Sequence, residues 1–370
     1  MGRKWKKYMY LRELKLKSFR NYDDLVLPFA PGINIFYGEN AQGKTNILEA
    51  IYLAATSKSH RTNFYREMIQ KGQEFAHISL QIQGEYRSEK IDIHIGQNKR
   101  SIFIGQAPVR KLEELLGNLY LVMFSPEDLE IVKGGPAVRR RFIDLELSQI
   151  NPYYYYQLRR YHRLLKQRNT LLKNFQKSSP DLSEISVWDE ELARAGSEII
   201  RLRREFIRQL AEIYRKRHSQ ISGGREEVLL VYENNVAEEQ FLDKLKSRLK
   251  KDLQLGSTYY GPHKDDILFS LGEMDLRIYG SQGQCRTAAL SLKLSEIDLI
   301  RQNKNTAPVL LLDDVLSELD DSRQKKLIEN LKEIQVLLTC TGVEDFLRQN
   351  LKADALFRIE KGQVFPQDKM

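Results

Sequence analysis

Lys44, Thr45, Asp313 and Asp314 have the types and neighbours that phosphoryl chemistry needs. Lys44 and Thr45 end the run Gly38-Glu39-Asn40-Ala41-Gln42-Gly43-Lys44-Thr45, which fits G-x-x-x-x-G-K-[ST] in full. An apolar stretch, Ile33 to Tyr37, precedes it, and a helical pattern, Ile47-Leu48-Ala50-Ile51-Leu53-Ala54, follows. In that strand–loop–helix setting the run reads as a P-loop. Its backbone N–H groups and the helix N-terminus would face the β- and γ-phosphates of ATP. Lys44 would add a point charge, and the Thr45 hydroxyl would ligate Mg²⁺. Much later, Val309-Leu310-Leu311-Leu312 reads as a buried parallel strand that ends on Asp313-Asp314, the Walker B form. Asp313 would hold the Mg²⁺, and Asp314 would orient or deprotonate an attacking water. Two acids after an apolar run are by themselves an ordinary turn, and the P-loop upstream reverses that reading.

Between these halves stands Ser281-Gln282-Gly283-Gln284, followed by a helical stretch from Thr287 to Ile300. It resembles the ABC signature, S-x-G-Q at a helix start. Ser317-Glu318-Leu319-Asp320 follows Asp314 where ABC ATPases carry their D-loop. The resemblance implies that Ser281 and Gly283 touch the γ-phosphate held by a second copy. Ser281 thus joins Lys44 and Asp314 as a catalytic candidate. Two ATP would be sandwiched in a head-to-tail homodimer, with ATP as the adhesive and hydrolysis as the release.

These residues need a scaffold. Leu11 to Leu16 and Leu25 to Phe29 read as strands ahead of Ile33 to Tyr37. Three alternating runs, Ile78-Leu80-Ile82, Ile91-Ile93-Ile95 and Ile102-Ile104, read as an antiparallel sheet with a turn at Gln97 to Arg100. Residues 152–177 and 186–218 are helical. In the second, Trp188, Leu192, Ala195, Ile199, Leu202 and Phe206 form an a/d seam. Lys177 to Asp181 breaks the pattern, so an antiparallel helical hairpin is expected, followed by a strand at Val228 to Val231 and another helix. The expected fold is α/β: an ABC/SMC-like ATPase head with a mixed sheet and P-loop, plus an inserted, mainly helical domain. The borders read as 1–145 for the N-terminal part of the head, 146–255 for the insertion and 256–370 for the C-terminal part.

The chain carries 59 Lys and Arg against 50 Asp and Glu, a formal charge of +9. The excess is uneven. Residues 1–20 hold eight cations against Glu13 alone, and residues 151–225 hold sixteen against eight acids. Such blocks on a mildly acidic remainder favour a defined polyanion face. Arg159, Arg160, Arg163, Lys166 and Arg168 cluster in the first hairpin helix with Tyr153 to Tyr156 and Tyr161, a mix suited to phosphate neutralisation and base stacking. The bland alternative has the tyrosines packing the hairpin. Cys285 and Cys340 form no metal-ligand spacing, which points to a reducing cytoplasm. No apolar run suits a signal peptide or a membrane span.

Several blocks together resemble the RecF family of bacterial recombination-repair ATPases, relatives of the SMC proteins. They are Phe19-Arg20-Asn21-Tyr22, the P-loop, Ser59-His60-Arg61-Thr62, Phe124-Ser125-Pro126-Glu127-Asp128-Leu129 with Gly134, Pro136 and Arg139 to Asp144, and Gly261-Pro262-His263-Lys264-Asp265-Asp266. The resemblance implies a weak, DNA-stimulated ATPase that dimerises on double-stranded or gapped, partly single-stranded DNA. It implies action with RecR and RecO to help load RecA in the DNA-damage response, in a cytoplasmic, nucleoid-associated setting. By analogy with SMC relatives it places Arg20 and Asn21 at the nucleotide. Three departures stand out: Asp314 where ABC ATPases usually carry Glu, Thr339-Cys340-Thr341 in place of the switch histidine with Thr341 its substitute, and no Q-loop glutamine near Ser125 to Asp128. The His263 block looks like a structural turn rather than a metal site. The alternative function is the ATPase subunit of an ABC transporter, which would need a membrane partner. Those subunits have a shorter stretch between P-loop and signature than the 236 residues from Thr45 to Ser281 here.

Overall fold

The computed structural model describes residues 9–84, 88–175, 182–224, 226–331, 333–342 and 352–367. The basic run from Met1 to Lys7 and the expected break at Lys177 to Asp181 lie outside them. In chain order the elements are β1 (Tyr10–Phe19), β2 (Tyr22–Pro28), β3 (Ile33–Tyr37), α1 (Lys44–Thr56), β4 (Phe75–Gln83), β5 (Ser88–Gly96), β6 (Arg100–Ile104), β7 (Ala107–Pro108) and β8 (Leu121–Phe124). Then come α2 (Leu129–Lys133), α3 (Pro136–Ile150), α4 (Pro152–Phe175), α5 (Leu182–Ser222), β9 (Val228–Glu233), α6 (Phe241–Leu255), β10 (Asp266–Leu271), β11 (Met274–Asp275) and α7 (Leu276–Tyr279). The chain closes with α8 (Gln282–Lys304), β12 (Val309–Asp313), α9 (Asp321–Glu329), β13 (Val336–Cys340), β14 (Ala355–Glu360) and β15 (Gln363–Gln367).

The chain packs as two compact units, Met1–Asp128 with Leu290–Met370, and Leu129–Ala289. The borders expected at 145/146 and 255/256 both fall inside the second unit. There Arg139 of α3 grips both carboxylate oxygens of Asp266 in β10, at 2.6 and 2.9 Å, which ties the two flanks of the insertion together.

The first unit holds two sheets. One is antiparallel, in the order β2-β1-β4-β5-β6-β7. Its inward residues (Leu14, Leu16, Ile78, Leu80, Ile91 and Ile93) are buried at every second position, as the alternation requires. The other runs β15-β14-β3-β13-β12-β8, parallel except where β14 turns back into β15. Here β12 and β13 are buried at every residue, as expected of parallel strands covered on both faces. The P-loop strand β3 lies between β13 and β14, so the loop leaves the carboxyl edge of the parallel strands, where open α/β sheets bind ligands.

The second unit combines the antiparallel sheet β11-β10-β9 with α3 to α6. In the α4–α5 pair, Arg168 meets Asp189, Arg160 meets Glu191 and Tyr154 meets Arg203. Falling numbers in α4 match rising numbers in α5, so the pair is antiparallel. The buried face of α5 is wider than the a/d seam. Ile185, Ala193, Ile200, Ile207, Leu210 and Tyr214 join Leu192, Ala195, Ile199 and Phe206 inside, while Trp188 and Leu202 sit half-buried. α5 packs against α4, α6 and β9 rather than one helix, and three neighbours need a broader stripe than one.

Candidate functional site

At the P-loop, β3 delivers the chain into a turn that needs glycine at Gly38 and Gly43. A Cβ on Gly38 would stand 2.3 Å from the Ile359 carbonyl oxygen, and one on Gly43 2.5 Å from Asn21 Nδ2. Both glycines have positive φ, 151° and 117°. α1 starts from Gly43 with no side-chain cap and no acid in its first turn. Its leading N–H groups are therefore left for an anion. Lys44 is buried and curls over the loop, with Nζ donating to the carbonyls of Gly38 and of Glu39, the latter at 2.8 Å. Burial lowers its pKa, against the charges of Asp314 and Asp313. Glu39, Asn40 and Ala41 are exposed at the tip.

Thr45 Oγ1 donates to Asp313 Oδ1 at 2.9 Å, joining the P-loop to the end of β12 across 268 residues. Thr339 Oγ1 donates to the same oxygen at 2.7 Å and accepts from the Asp314 N–H at 3.0 Å. Thr339 is thus the residue of the Thr339-Cys340-Thr341 run that touches the acids, whereas Thr341 is exposed. Alternation cannot separate the two, since strand residues two apart share a face, but register can: β13 pairs in parallel with β12 and sets Thr339 opposite Asp313, while Thr341 lies beyond the end of β13. Asp314 has left-handed φ, 53°, which turns its side chain away from the direction the strand would give it. Burial raises its pKa, with Lys44 opposing. An uncapped helix N-terminus, a lysine, and hydroxyl and carboxylate oxygens at one strand end suit a triphosphate and the hard cation Mg²⁺.

Around the loop, Asn21 Nδ2 donates to the Gln42 carbonyl at 2.8 Å, and Asn46 Nδ2 donates to Asn21 Oδ1 at 2.7 Å. Arg20 turns elsewhere: its Nε and NH2 fork the two oxygens of Glu49 at 2.9 and 2.6 Å, and NH1 reaches the Glu67 carbonyl. Glu49 lies fully buried on α1 and also accepts from Ser59 Oγ at 2.6 Å, with Arg61 at 3.7 Å. These donors lower its pKa against its burial. Sequence reasoning misses Glu49, because a mid-helix glutamate looks solvated until its three partners are known. Of the Ser59–Thr62 block, Arg61 bonds Asn46 Oδ1 at 2.8 Å, and both ring nitrogens of His60 lack a hydrogen-bond partner among the described residues. At the expected Q-loop position, Asp128 accepts from the Ser125 N–H at 2.8 Å and pairs with Lys293 at 3.4 Å.

The signature lies in the second unit. Ser281 Oγ accepts from the Gln284 N–H at 3.2 Å, and Gln284 Oε1 accepts from the Ser281 N–H at 3.0 Å, a capping box at the start of α8. Gln284 also donates to Glu226 at 3.1 Å. Ser281 and Gln282 are exposed and Gly283 is half-buried. A Cβ on Gly280 would meet the Leu276 carbonyl oxygen at 2.4 Å, so the turn into the motif needs glycine.

On α4 the basic cluster divides. Arg159, Arg163 and Lys166 are exposed, on the side that also shows Tyr153 and Tyr156. Arg160 pairs with Glu191. Arg168 does not belong to that face: it is fully buried, bonded to Asp189 at 2.6 Å and to Asp252 and Thr258 at 2.8 Å. Tyr154 and Tyr161 are also buried, so the packing alternative holds for them. Tyr154 OH donates to Asp144, and Tyr161 OH meets His263 Nδ1 at 2.6 Å. The Gly261–Asp266 block is structural, as expected. His263 Nε2 faces the Thr258 carbonyl at 3.1 Å, and Asp265 is buried against Arg203, Tyr232 and the Asn235 N–H.

The fold and the loop define a P-loop ATPase head of the SMC kind. The family model for the RecF/RecN/SMC N terminal domain matches residues 10–363. An Smc head domain from Pyrococcus furiosus shares the fold at TM-score 0.57 and 16% identity, over 97% of this chain and 96% of that one. More narrowly, the chain belongs to the RecF family. It is 47% identical to the DNA replication and repair protein RecF of Agathobacter rectalis over 96% of this chain and 99% of that protein. With the same protein of Clostridium botulinum the identity is 42%, over 96% and 99%. The solved structure of the recombination mediator protein RecF with ATP, in the RecFOR pathway, superposes at TM-score 0.91 with 34% identity, covering 98% of each chain.

Proposed function

We propose that this chain is an ATP-dependent DNA-binding protein of recombinational repair. Two copies close head to tail on DNA with two ATP between them, each held by Gly38 to Thr45 of one copy and met by Ser281 to Gln284 of the other. The observation that carries the reading is the Thr45–Asp313 hydrogen bond beside the uncapped start of α1. It brings the phosphate-binding loop and the Walker B acids to one point.

The residues divide the work. The loop N–H groups and Lys44 bind and neutralise the phosphates, so Lys44 exchanges its carbonyl partners for phosphate oxygens. Thr45 and Asp313 are the residues that would hold Mg²⁺, which when bound supplies charge neutralisation at the β- and γ-phosphates. Asp314, fixed through its N–H by Thr339, orients the attacking water and takes its proton. Its carboxylate is one methylene shorter than a glutamate, which suits slow turnover of ATP to ADP and phosphate. Asn21 braces the loop, and Arg20 acts through Glu49 on α1. The exposed Ser281, at the N-terminus of α8, suits a γ-phosphate presented by a second copy.

Arg159, Arg163 and Lys166 form the DNA-facing set, with Arg160 beside them. The pathway role, helping load RecA with RecO and RecR at gapped or stalled DNA in the cytoplasm, rests on family membership. Among the described residues no helix is long and apolar enough to cross a membrane. Sedimentation of the full chain with and without ATP, and with and without double-stranded DNA, tests the reading. A dimer that needs ATP and is favoured by DNA is expected. A chain that stays monomeric with ATP bound overturns the sandwich.

A further inference from the structure

We propose that the C-terminal β-hairpin, β14–β15, is a working part of the nucleotide site: its turn at Lys361–Gly362 clamps Gln42 and holds the P-loop in the shape that receives phosphate. The inference rests on the nucleotide-binding reading of Gly38 to Thr45.

Glu360 pairs with Gln363, so Lys361 and Gly362 form a two-residue turn, and both have positive φ, 48° and 75°. That is the type I′ geometry that matches the twist of a hairpin. In this turn both backbone N–H groups are spent on one residue of the P-loop. Lys361 N–H donates to Gln42 Oε1 at 2.6 Å, and Gly362 N–H donates to the Gln42 carbonyl at 3.2 Å. The same carbonyl accepts from Asn21 Nδ2 at 2.8 Å.

The fit has no slack. A Cβ on Gly362 would stand 2.4 Å from the Asn21 carbonyl oxygen, and the first P-loop glycine, Gly38, lies against the Ile359 carbonyl of β14. The loop is thus pinned near its start by β14 and at Gln42 by the turn. In a trans peptide the C=O and the following N–H point in opposite directions. Gripping the Gln42 carbonyl therefore fixes the Gly43 N–H to point away from Asn21 and the hairpin. A phosphate-facing N–H needs that fixed direction, and a loop left to itself would have to find it on binding. Gln42 and Gly362 are positioning residues, since neither needs to touch the nucleotide. Because the clamp shapes the loop, nucleotide binding and hairpin order are coupled, and the coupling runs both ways.

The test combines nucleotide titration, steady-state turnover and backbone hydrogen exchange on the full chain. Gly362→Val should weaken ATP binding about tenfold or more, while turnover at saturating ATP stays within about twofold, because the strain acts on the loop before phosphate arrives. Gln42→Ala, which adds no Cβ to the turn, should weaken binding in the same direction and keeps the question open to measurement if the valine variant does not fold. In the wild type, ATP should slow exchange at residues 361 and 362 at least about threefold, an effect that a merely structural hairpin would not show. Wild-type affinity in both variants, with exchange at the turn indifferent to ATP, overturns the clamp. Failure of the wild type itself to bind ATP, matched by an equally inert Lys44→Ala, overturns the nucleotide reading instead and takes the clamp with it.

Discussion

Asp314 is held in place by its own backbone: its N–H is bonded to Thr339, its φ is left-handed, and burial raises its pKa. Asp314→Asn keeps the shape and removes the carboxylate proposed as the base. Turnover should fall about a hundredfold or more while ATP binding persists, read by phosphate release and by titration. A second residue governs stability in acid. His263 is tied through both nitrogens, to Tyr161 and to the Thr258 carbonyl, an arrangement that suits the neutral ring. Burial holds its pKa at about 4, well below the usual 6.5, and the cations Lys264 and Arg140 push the same way. The unfolded chain therefore takes up the proton first. The contribution of His263 is complete above about pH 6.5 and declines as the pH falls toward 4. Between about pH 7.5 and about pH 5.5 the loss should be roughly 1 kcal/mol, read from denaturant midpoints. In His263→Asn that part of the pH slope should disappear. His60, His77 and His218, whose pKa values burial also lowers, should leave a residual slope of the same sign.

At the scale of the element, α4 shows why one stripe of sequence can carry two jobs. Its inner side holds Arg168 between Asp189 and Asp252, a buried group whose charge must be matched or left out. Its outer side shows Arg159, Arg163 and Lys166. The two sorts of arginine look alike in the sequence, because the partners that bury Arg168 stand 21 and 84 residues away. The same reason explains what else is and is not legible. The P-loop, the Walker B strand and the period-2 sheet follow from local patterns, and they stand where spacing puts them. Thr339 at Asp313, Glu49 as the partner of Arg20, and the Lys361–Gly362 turn at Gln42 depend on strand register and on the meeting of distant segments. For the outer face, charge reversal should be selective. Arg163→Glu with Lys166→Glu should weaken DNA binding and lower the slope of log affinity against log salt by about 2, one for each phosphate no longer neutralised. Thermal stability should be unchanged, since both side chains are exposed. An unchanged salt slope would move the DNA face off α4.

At the scale of the whole molecule, the P-loop lies in one unit and Ser281 to Gln284 in the other, so the proposed dimer is one in which a second copy reunites what each chain divides. Ser281 is the position at which this division can be tested without disturbing nucleotide binding by the P-loop. Its hydroxyl caps α8 through the Gln284 N–H, so a replacement with no capping oxygen, alanine and arginine alike, costs the cap, about 1 kcal/mol. Ser281→Ala and Ser281→Arg share that cost and differ in what they present to an approaching phosphate face. If Ser281 only caps the helix, the two variants should dimerise alike. If it meets the γ-phosphate of a second copy, the arginine should block closure by bulk while the alanine only weakens it. Sedimentation with ATP, in the Asp314→Asn background so that hydrolysis does not drain the dimer, separates the cases. ATP titration of each variant as a monomer should give the wild-type affinity, since Ser281 belongs to the unit that does not contain the P-loop. Dimers of equal stability in the alanine and arginine variants would reduce Ser281 to a helix cap and leave the signature without a partner.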